Sequence, residues 1–153
     1  MGFFRFFRTW GLSACFALLA SVSCGAEKKE GPAAAKKAAA SEFIKHIESA
    51  EQLDTIMTKA GNSLIAFDLY ADWCMPCRIL SPTLEKIAKS NPSKVVFYKI
   101  NIDKLPQVAR DFGVSGIPLV VFMKNKTVVQ EFVGVQPEED YIAAINSGDS
   151  PGK

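Results

Sequence analysis

The sequence predicts an α/β fold in which a central mixed β-sheet carries helices on both faces. Three mostly apolar runs have strand length, and segments with apolar residues at helical spacing separate them; the runs are residues 64–71, 95–103 and 119–123. Nearly continuous apolar runs are typical of strands that are covered on both faces. A turn and a further strand follow the last run, so the predicted order of elements is βαβαβαββα.

The first two elements are a short strand and a helix. Residues 43–47 form the strand. Residues 49–59 form the helix, whose core face is marked by apolar residues at helical spacing, namely Leu53, Ile56 and Met57. Ser49 suits the N-cap because its hydroxyl can accept a backbone N–H of the first turn, and Gly61 follows as a helix stop.

Two of the predicted strands each contain one unexpected charge in their interior. Asp68 interrupts the apolar run at residues 64–71, and Lys99 interrupts the run at residues 95–103. A charged carboxylate is costly to bury, so Asp68 either faces a polar cavity or serves chemistry, and the sequence leaves both interpretations open. If these strands are parallel neighbours, Asp68 and Lys99 can lie side by side.

The remaining elements follow from the same patterns. The helix after Cys77 is expected to have a core face made of Ile79, Leu80, Leu84, Ile87 and Ala88. Pro82 interrupts this helix and predicts a kink. The other predicted elements are a short helix at 108–112, a hairpin turn at 124–126 between strands at 119–123 and 127–133, and a final helix at 137–146.

Two cysteines separated by two residues stand where the strand at residues 64–71 gives way to a helix. With Cys74 at the helix N-terminus and Cys77 in its first turn, the pair can close a small disulfide ring, so the spacing supports reversible oxidation. Unpaired N–H groups and the helix dipole favour a thiolate at Cys74. We therefore expect Cys74 to attack and a more buried Cys77 to resolve the mixed disulfide. Pro76 suits an early helical position because its missing N–H costs nothing there.

A zinc site is the main alternative interpretation of the cysteine pair. Such a site needs two further ligands, and the remaining candidates are His46, Cys15 and Cys24. Both of those cysteines lie in a segment with the features of a targeting signal, and His46 is expected to be a surface strand residue. We therefore predict neither a metal nor an organic cofactor. A purely structural cysteine pair is the other alternative.

The charge distribution excludes nucleic acid as a partner. The formal net charge of +2 arises from Arg5 and Arg8, because the remaining 16 basic residues are matched by 16 acidic ones. From residue 41 onward the chain carries 12 basic and 14 acidic residues. A nucleic-acid-binding domain would show a basic patch, and this one offers none.

The N-terminal residues have the features of an export signal. In residues 1–23, two arginines precede an apolar run that is short for a membrane span. The following Ser-Val-Ser-Cys-Gly resembles a bacterial lipoprotein box, which makes Cys24 the expected lipid anchor. Cleavage near Ala26 and an uncleaved anchor are the alternatives. Residues 24–40 are expected to form a flexible Ala/Lys-rich tether, and residues 41–149 the folded domain.

Several motifs together resemble the thioredoxin family over residues 43–147. They are Trp73-Cys74-Met75-Pro76-Cys77, Asp68 six residues before the first cysteine, Pro82 in the following helix, Lys99 in Lys-Ile-Asn-Ile-Asp, Gly116-Ile117-Pro118 and Val133-Gly134-Val135. The resemblance implies the thioredoxin fold. It also implies a cis bond before Pro118, proton transfer between Asp68 and Cys77 with Lys99 as an accessory residue, and a substrate-binding surface. The surface residues are Trp73, Met75, Ile117, Gly134 and Val135.

The resemblance implies a protein-disulfide oxidoreductase, here in the periplasm or cell envelope of a bacterium. Ile117 before Pro118 and the pair of Asp68 with Lys99 favour reduction of disulfide-containing proteins. An exported reductase implies a transmembrane dithiol relay as electron donor, and we expect a monomer held to the membrane by its lipid anchor. Met75 replaces the glycine usual in cytosolic members, which leaves a disulfide oxidase or isomerase open. A non-catalytic peptide-binding or chaperone module is the alternative of another class.

Overall fold

The computed structural model describes residues 42–148. Its elements are β1 (Ile44–Ile47), α1 (Ala50–Ala60), β2 (Leu64–Tyr70), α2 (Met75–Ser90), β3 (Val95–Asn101), α3 (Pro106–Asp111), β4 (Leu119–Lys124), β5 (Thr127–Val133) and α4 (Glu138–Gly148). The predicted order βαβαβαββα is confirmed. The predicted export signal, tether and lipid anchor at Cys24 lie outside the described residues. No helix among residues 42–148 is long and apolar enough to cross a membrane.

The strand that leads to the cysteine pair occupies the centre of the sheet. The strand order is β1-β3-β2-β4-β5, with β1, β3 and β2 parallel and β4 antiparallel to both β2 and β5. Because β2 has a neighbour on each side, its backbone groups are paired along both edges. The end of β2 is therefore a rigid platform for the turn that carries the cysteines.

Successive residues of β2 contribute to two separate hydrophobic clusters, one on each face of the sheet. Leu64 and Ala66 pack with residues of α2 and α4, which include Leu80, Leu84, Ile87, Tyr141 and Ile145. Phe67 and Leu69 pack with residues of α1 and α3, which include Leu53 and Val108. Side chains alternate along a strand, so Asp68 lies on the same face as Ala66, under α2.

The ends of α1 and the β4–β5 hairpin form as the sequence predicts. The Ser49 hydroxyl accepts the backbone N–H of Gln52 at 3.2 Å, and Gly61 ends the helix with φ +51°. In the hairpin, Asn125 and Lys126 have φ of 52° and 61°. Positive φ at both turn residues matches the twist of the flanking strands.

The predicted core face of α2 is wrong at Ile79. Leu80, Leu84, Ile87 and Ala88 are buried, whereas Ile79 is 63% exposed. Leu80 is adjacent in sequence and thus about 100° away around the helix, and this rotation carries Ile79 off the buried side that Leu80, Leu84 and Ile87 share. Ile79 instead lies one helical turn beyond Met75, on the same exposed side of α2. The helix continues through Pro82 to Ser90.

Candidate active site

Cys74 and Cys77 form a disulfide at the N-terminus of α2. Their Cα atoms are 5.3 Å apart, and the two Sγ atoms are bonded. Cys74 is the N-cap residue, and its Sγ accepts a hydrogen bond from the Cys77 backbone N–H at 3.2 Å. The sulfur therefore occupies the position that a capping oxygen takes in other helices. The structure describes the oxidised state of the pair.

The local sequence explains why a helix begins at this point. After β2, the Cys74 N–H donates to the Ala71 carbonyl at 3.1 Å, which closes a tight turn. Pro76 stands in the first turn of α2, where a backbone N–H has no partner within the helix. The positive end of the helix dipole then acts on the Cys74 sulfur and stabilises its thiolate when the pair is reduced.

The expectation that Cys77 is the more buried cysteine is wrong. Each of the two residues is only 3% exposed. Both pack with Ala71 in a small cluster that Tyr70, Ile102 and Ile117 cover in part. The disulfide draws the two sulfurs into one pocket, so exposure does not distinguish them. What distinguishes them is the helix: Cys74 caps it and Cys77 lies inside its first turn.

Ile117, which is distant from the cysteines in sequence, packs against them and precedes a cis peptide bond. The Ile117–Pro118 peptide bond is cis, Pro118 is buried, and Ile117 packs on the cysteine cluster. The Gly134 N–H donates to the Pro118 carbonyl at 2.7 Å. Gly134 has φ +80°, a conformation that residues with a side chain rarely adopt. This bond brings the segment after β5 to the same surface.

The predicted substrate-binding residues lie around the cysteines with different exposures. Trp73 is 67% exposed and Met75 is 57% exposed, and Val135 is also exposed. Ile117 and Gly134 are half-buried. Two more exposed apolar residues, Ile79 and Val133, were not predicted for this surface. The signals were present, because Ile79 follows Met75 by one helical turn and Val133 precedes Gly134.

The Trp73 side chain is held by a residue whose role the sequence did not reveal. Its Nε1–H donates to Oδ2 of Asp103 at 2.9 Å. The Asp103 backbone N–H donates in turn to Oδ1 of Asn101 at the end of β3. The indole beside Cys74 is therefore oriented although it is exposed. Asp103 lay within the quoted Lys-Ile-Asn-Ile-Asp motif, but periodicity alone gives no reason to link it to Trp73.

Asp68 and Lys99 form a buried ion pair. They are directly opposite each other on β2 and β3, and Lys99 Nζ lies 2.7 Å from Asp68 Oδ2. The Asp68 side chain is 2% exposed and the Lys99 side chain 10%. Oδ1 of Asp68 is buried and has no hydrogen-bond partner within residues 42–148. Buried polar atoms are almost always paired, so this free acceptor calls for an explanation.

Burial raises the pKa of the Asp68 carboxyl above its ordinary value. Loss of hydration is the largest cause, and it outweighs the opposing effects of the Lys99 charge, the Lys99 hydrogen bond and the more distant His46. His46 is exposed on β1, as expected for a surface residue. A carboxyl group whose pKa is raised in this way can exchange a proton nearer to neutral pH.

A metal site and a cavity are the other kinds of site to consider in the described residues. Within residues 42–148, no group of three or more His, Cys, Asp or Glu side chains could hold a metal ion. A cavity of about 370 Å³ between α1, α3 and the β4–β5 hairpin is lined by Leu53, Met57, Val108, Val121 and Met123, among others. It includes none of the predicted site residues. The dithiol therefore faces a surface and not this cavity.

Comparison with known proteins shows which family the chain resembles. The family model described as Thioredoxin matches residues 43–147. Thioredoxin H4 of Arabidopsis thaliana is 41% identical over 88 residues, which are 58% of this chain and 72% of that protein. Mitochondrial thioredoxin of Bos taurus is 43% identical over 81 residues, 53% of this chain but only 49% of that protein. The crystal structure of thioredoxin NaTrxh from Nicotiana alata superposes with a TM-score of 0.66 and 26% identity, covering 69% of this chain and 92% of that one.

The raised pKa of Asp68 predicts how stability depends on pH. Because the folded protein prefers the protonated carboxyl, Asp68 costs stability as pH rises from the ordinary carboxyl value of about 4 through its raised pKa. We expect Asp68→Asn to raise the free energy of unfolding at neutral pH, with the gain disappearing below about pH 4. Denaturant unfolding of the oxidised protein across this range measures it. Asp54→Asn, on the exposed side of α1, is the control. A gain that persists unchanged at low pH would contradict the assignment.

Proposed function

Because this chain belongs to the thioredoxin family, we propose that it reduces protein disulfides outside the cytoplasm through Cys74 and Cys77. Members of the family are protein-disulfide oxidoreductases that act on disulfide substrates, and this chain is one of them. The observation that carries the proposal is the Cys74–Cys77 disulfide at the N-terminus of α2, beside the cis bond before Pro118.

The first chemical step is attack by Cys74. In the reduced protein, the N-terminus of α2 stabilises the Cys74 thiolate. This sulfur attacks one sulfur of a substrate disulfide, the substrate S–S bond breaks, and the other substrate sulfur leaves as a thiolate that takes a proton from water. The product is a mixed disulfide between Cys74 and the substrate.

The second step is resolution by Cys77. Asp68 accepts the Cys77 proton, and the resulting thiolate attacks the Cys74 sulfur. The mixed disulfide breaks, the second substrate sulfur leaves as a thiolate that takes a proton from water, and Cys74 and Cys77 become a disulfide, the state that the structure describes. Asp68 then releases the Cys77 proton to water. Two electrons have passed from the dithiol to the substrate, and the protons released by Cys74 and Cys77 balance the two that the substrate sulfurs take up. The position of Asp68 on the α2 face of β2 and its free Oδ1 support this role.

Substrate recognition uses the surface around the cysteines. An extended substrate segment pairs with the backbone at Ile117, which packs on the cysteine cluster. Trp73, Met75 and Val135 supply exposed apolar area for residues that flank the substrate disulfide. These side chains are accessible without any cavity, which suits a reductase that accepts disulfides on the surfaces of folded proteins.

The direction of electron flow and the location belong to the proposal. The ion pair of Asp68 with Lys99 and the Ile117–Pro118 sequence favour a reductant. The export signal and the lipoprotein box favour a periplasmic or cell-envelope protein, anchored through Cys24, that acts as a monomer and receives electrons from a transmembrane dithiol relay.

The exposed Met75 between the cysteines supports an oxidase or isomerase as second candidate, since about 30 mV of potential changes the equilibrium by about 1.4 kcal/mol. A binding module without catalysis needs no buried proton acceptor and is disfavoured.

Resolution of the mixed disulfide tests the roles of Asp68 and Cys77. We expect Asp68→Asn to slow resolution at neutral pH by about 10²-fold, the lower end of general base catalysis, while the Cys74 attack is largely preserved. Cys77→Ser should leave the mixed disulfide unresolved, and Cys74→Ser should form none. Rapid quenching and mass spectrometry measure the lifetime of the adduct. Asp54→Asn is the control, and an unchanged resolution rate in Asp68→Asn would remove Asp68 from the mechanism.

The redox state of the pair in its native cells tests the direction. We expect Cys74 and Cys77 to be mostly reduced when thiols are trapped with acid, because a reductase waits in its dithiol form. Loss of the membrane electron donor should then leave the pair oxidised. Alkylation and gel mobility measure the two states, with Cys74→Ser/Cys77→Ser as the unreactive control. A pair that is mostly oxidised whether or not the donor is present would favour the oxidase.

The mass of the mature protein tests the anchor. We expect the membrane fraction to contain a chain that begins at Cys24 and carries lipid, because the cysteine follows small residues and precedes the tether. Intact-mass analysis of that fraction decides the question, and Cys24→Ser should lose the lipid and the membrane association together. A soluble product that begins beyond Cys24 would leave export but remove the anchor.

A further inference from the structure

The ammonium group of Lys99 is held from two sides. Its Nζ lies 2.7 Å from Oδ2 of Asp68 and 4.8 Å from the centre of the Tyr70 ring. Asp68 and Tyr70 are two residues apart on β2, so both project from the same face of the sheet. A cation above an aromatic face within about 6 Å of its centre is attracted by the ring. Tyr70 therefore contributes to where the Lys99 charge sits.

The Tyr70 ring is itself fixed by the neighbouring strands and by the cysteine cluster. Asn101 stands opposite it on β3, and the Asn101 side chain acts to lower the pKa of the Tyr70 hydroxyl against the larger effect of burial, which raises it. The Tyr70 carbonyl accepts the Ile102 N–H at 2.9 Å. The His46 ring meets the Tyr70 ring edge-on, with the ring centres 6.3 Å apart. Tyr70 itself packs on Ala71, Cys74 and Cys77.

We propose that Tyr70 is a positioning residue for proton transfer: its ring confines the Lys99 ammonium to Oδ2 of Asp68 and leaves Oδ1 open as the proton acceptor. The inference rests on the proposed role of Asp68 in the resolution step. It explains why one oxygen of a buried carboxylate has an ion-pair partner at 2.7 Å while the other has none within the described part of the chain.

The flexibility of the Lys99 side chain shows which movement the Tyr70 ring prevents. Lysine has a flexible four-carbon stem, and the Lys99 side chain already reaches the surface with a tenth of its area exposed. Without an aromatic face above it, the ammonium can turn outward into water, as long charged side chains do. Asp68 then loses its nearest positive charge, and its carboxylate becomes harder to form. Tyr70, the last residue of β2, would thus control the charge of Asp68, which lies two residues earlier on the same strand.

The other ionisable groups near this pair are known and can be held constant. Besides Lys99 on β3, Asp68 feels the charge of His46 on β1, and Asp68 in turn affects the pKa of Tyr141 on α4. Tyr70 is affected by Asp72 and Glu48 as well as by Asp68. The experiment below is therefore repeated in His46→Gln, which removes the charge of His46 that acts on Asp68.

The test compares removal of the Tyr70 ring with and without Lys99. Asp68 is titrated by carboxyl NMR in the oxidised full chain, and the resolution rate is followed against pH. Tyr70→Leu should move the Asp68 titration to higher pH and slow resolution about two- to fivefold on the acid side only, which corresponds to a cation–π contact of about 0.5–1 kcal/mol. Tyr70→Phe keeps the ring and should resemble the parent. In Lys99→Met, Tyr70→Leu should cause no further shift.

The controls separate this inference from packing effects and from the proposed function. Tyr98→Leu removes a half-buried tyrosine that packs against Phe67 on the opposite face of the sheet, and it should leave the Asp68 titration in place. Tyr70→Met is a second ring-free variant if Tyr70→Leu does not fold. An equal shift with and without Lys99, no shift at all, or a Tyr70→Phe that behaves as Tyr70→Leu would overturn the inference. Unchanged resolution in Asp68→Asn would instead overturn the proposed role of Asp68, while the titration would still report on Tyr70.

Discussion

A carboxylate buried in the central strand of the sheet is the costly feature around which this domain is arranged. Removing a charged group from water costs several kcal/mol, and an ion partner recovers only part of that. Here Lys99 is supplied by the adjacent strand at the directly opposite position, and parallel pairing of β2 with β3 sets that register. The pair is not an efficient source of stability, because an apolar pair would fill the same space without the cost. Its retention makes sense if the proton of Asp68 has a task beside the cysteines.

The position of β2 connects this carboxylate to the dithiol. The strand runs through the middle of the sheet and its last residue precedes the turn that ends at Cys74, so Asp68 and the sulfurs share one rigid support. Alternation along β2 directs Asp68 toward α2, the helix that carries Cys77. The cis bond at Pro118 and the left-handed Gly134 then bring the segments after α3 and after β5 to the same surface. Four chain segments that are separate in sequence, namely β2, α2 and the segments after α3 and after β5, thus meet at the cysteines.

Sequence periodicity was enough for the fold and for the pairing of Asp68 with Lys99. Both residues stand out as single charges in apolar strands, and charged residues are almost never fully buried unless they are paired. The prediction from periodicity was wrong at Ile79, because the apolar pattern did not show that this neighbour of the buried Leu80 lies outside the core face of α2. It also could not reveal that the disulfide buries both sulfurs equally, or that Trp73 reaches Asp103 and Lys99 lies over Tyr70. Those contacts depend on side-chain directions in three dimensions, which a one-dimensional pattern does not encode.

The exposed thioether of Met75 gives the site a vulnerability of its own. Methionine sulfur that is open to solvent can be oxidised to the sulfoxide, which turns an apolar, flexible side chain into a polar one. Met75 stands between the two cysteines in sequence and has more than half of its area exposed, so its sulfur is open to oxidants in the solvent. Oxidation of Met75 would leave the dithiol chemically intact but would make the proposed substrate-binding surface more polar. Such damage would lower the affinity for substrates, and its reversal depends on methionine sulfoxide reductases.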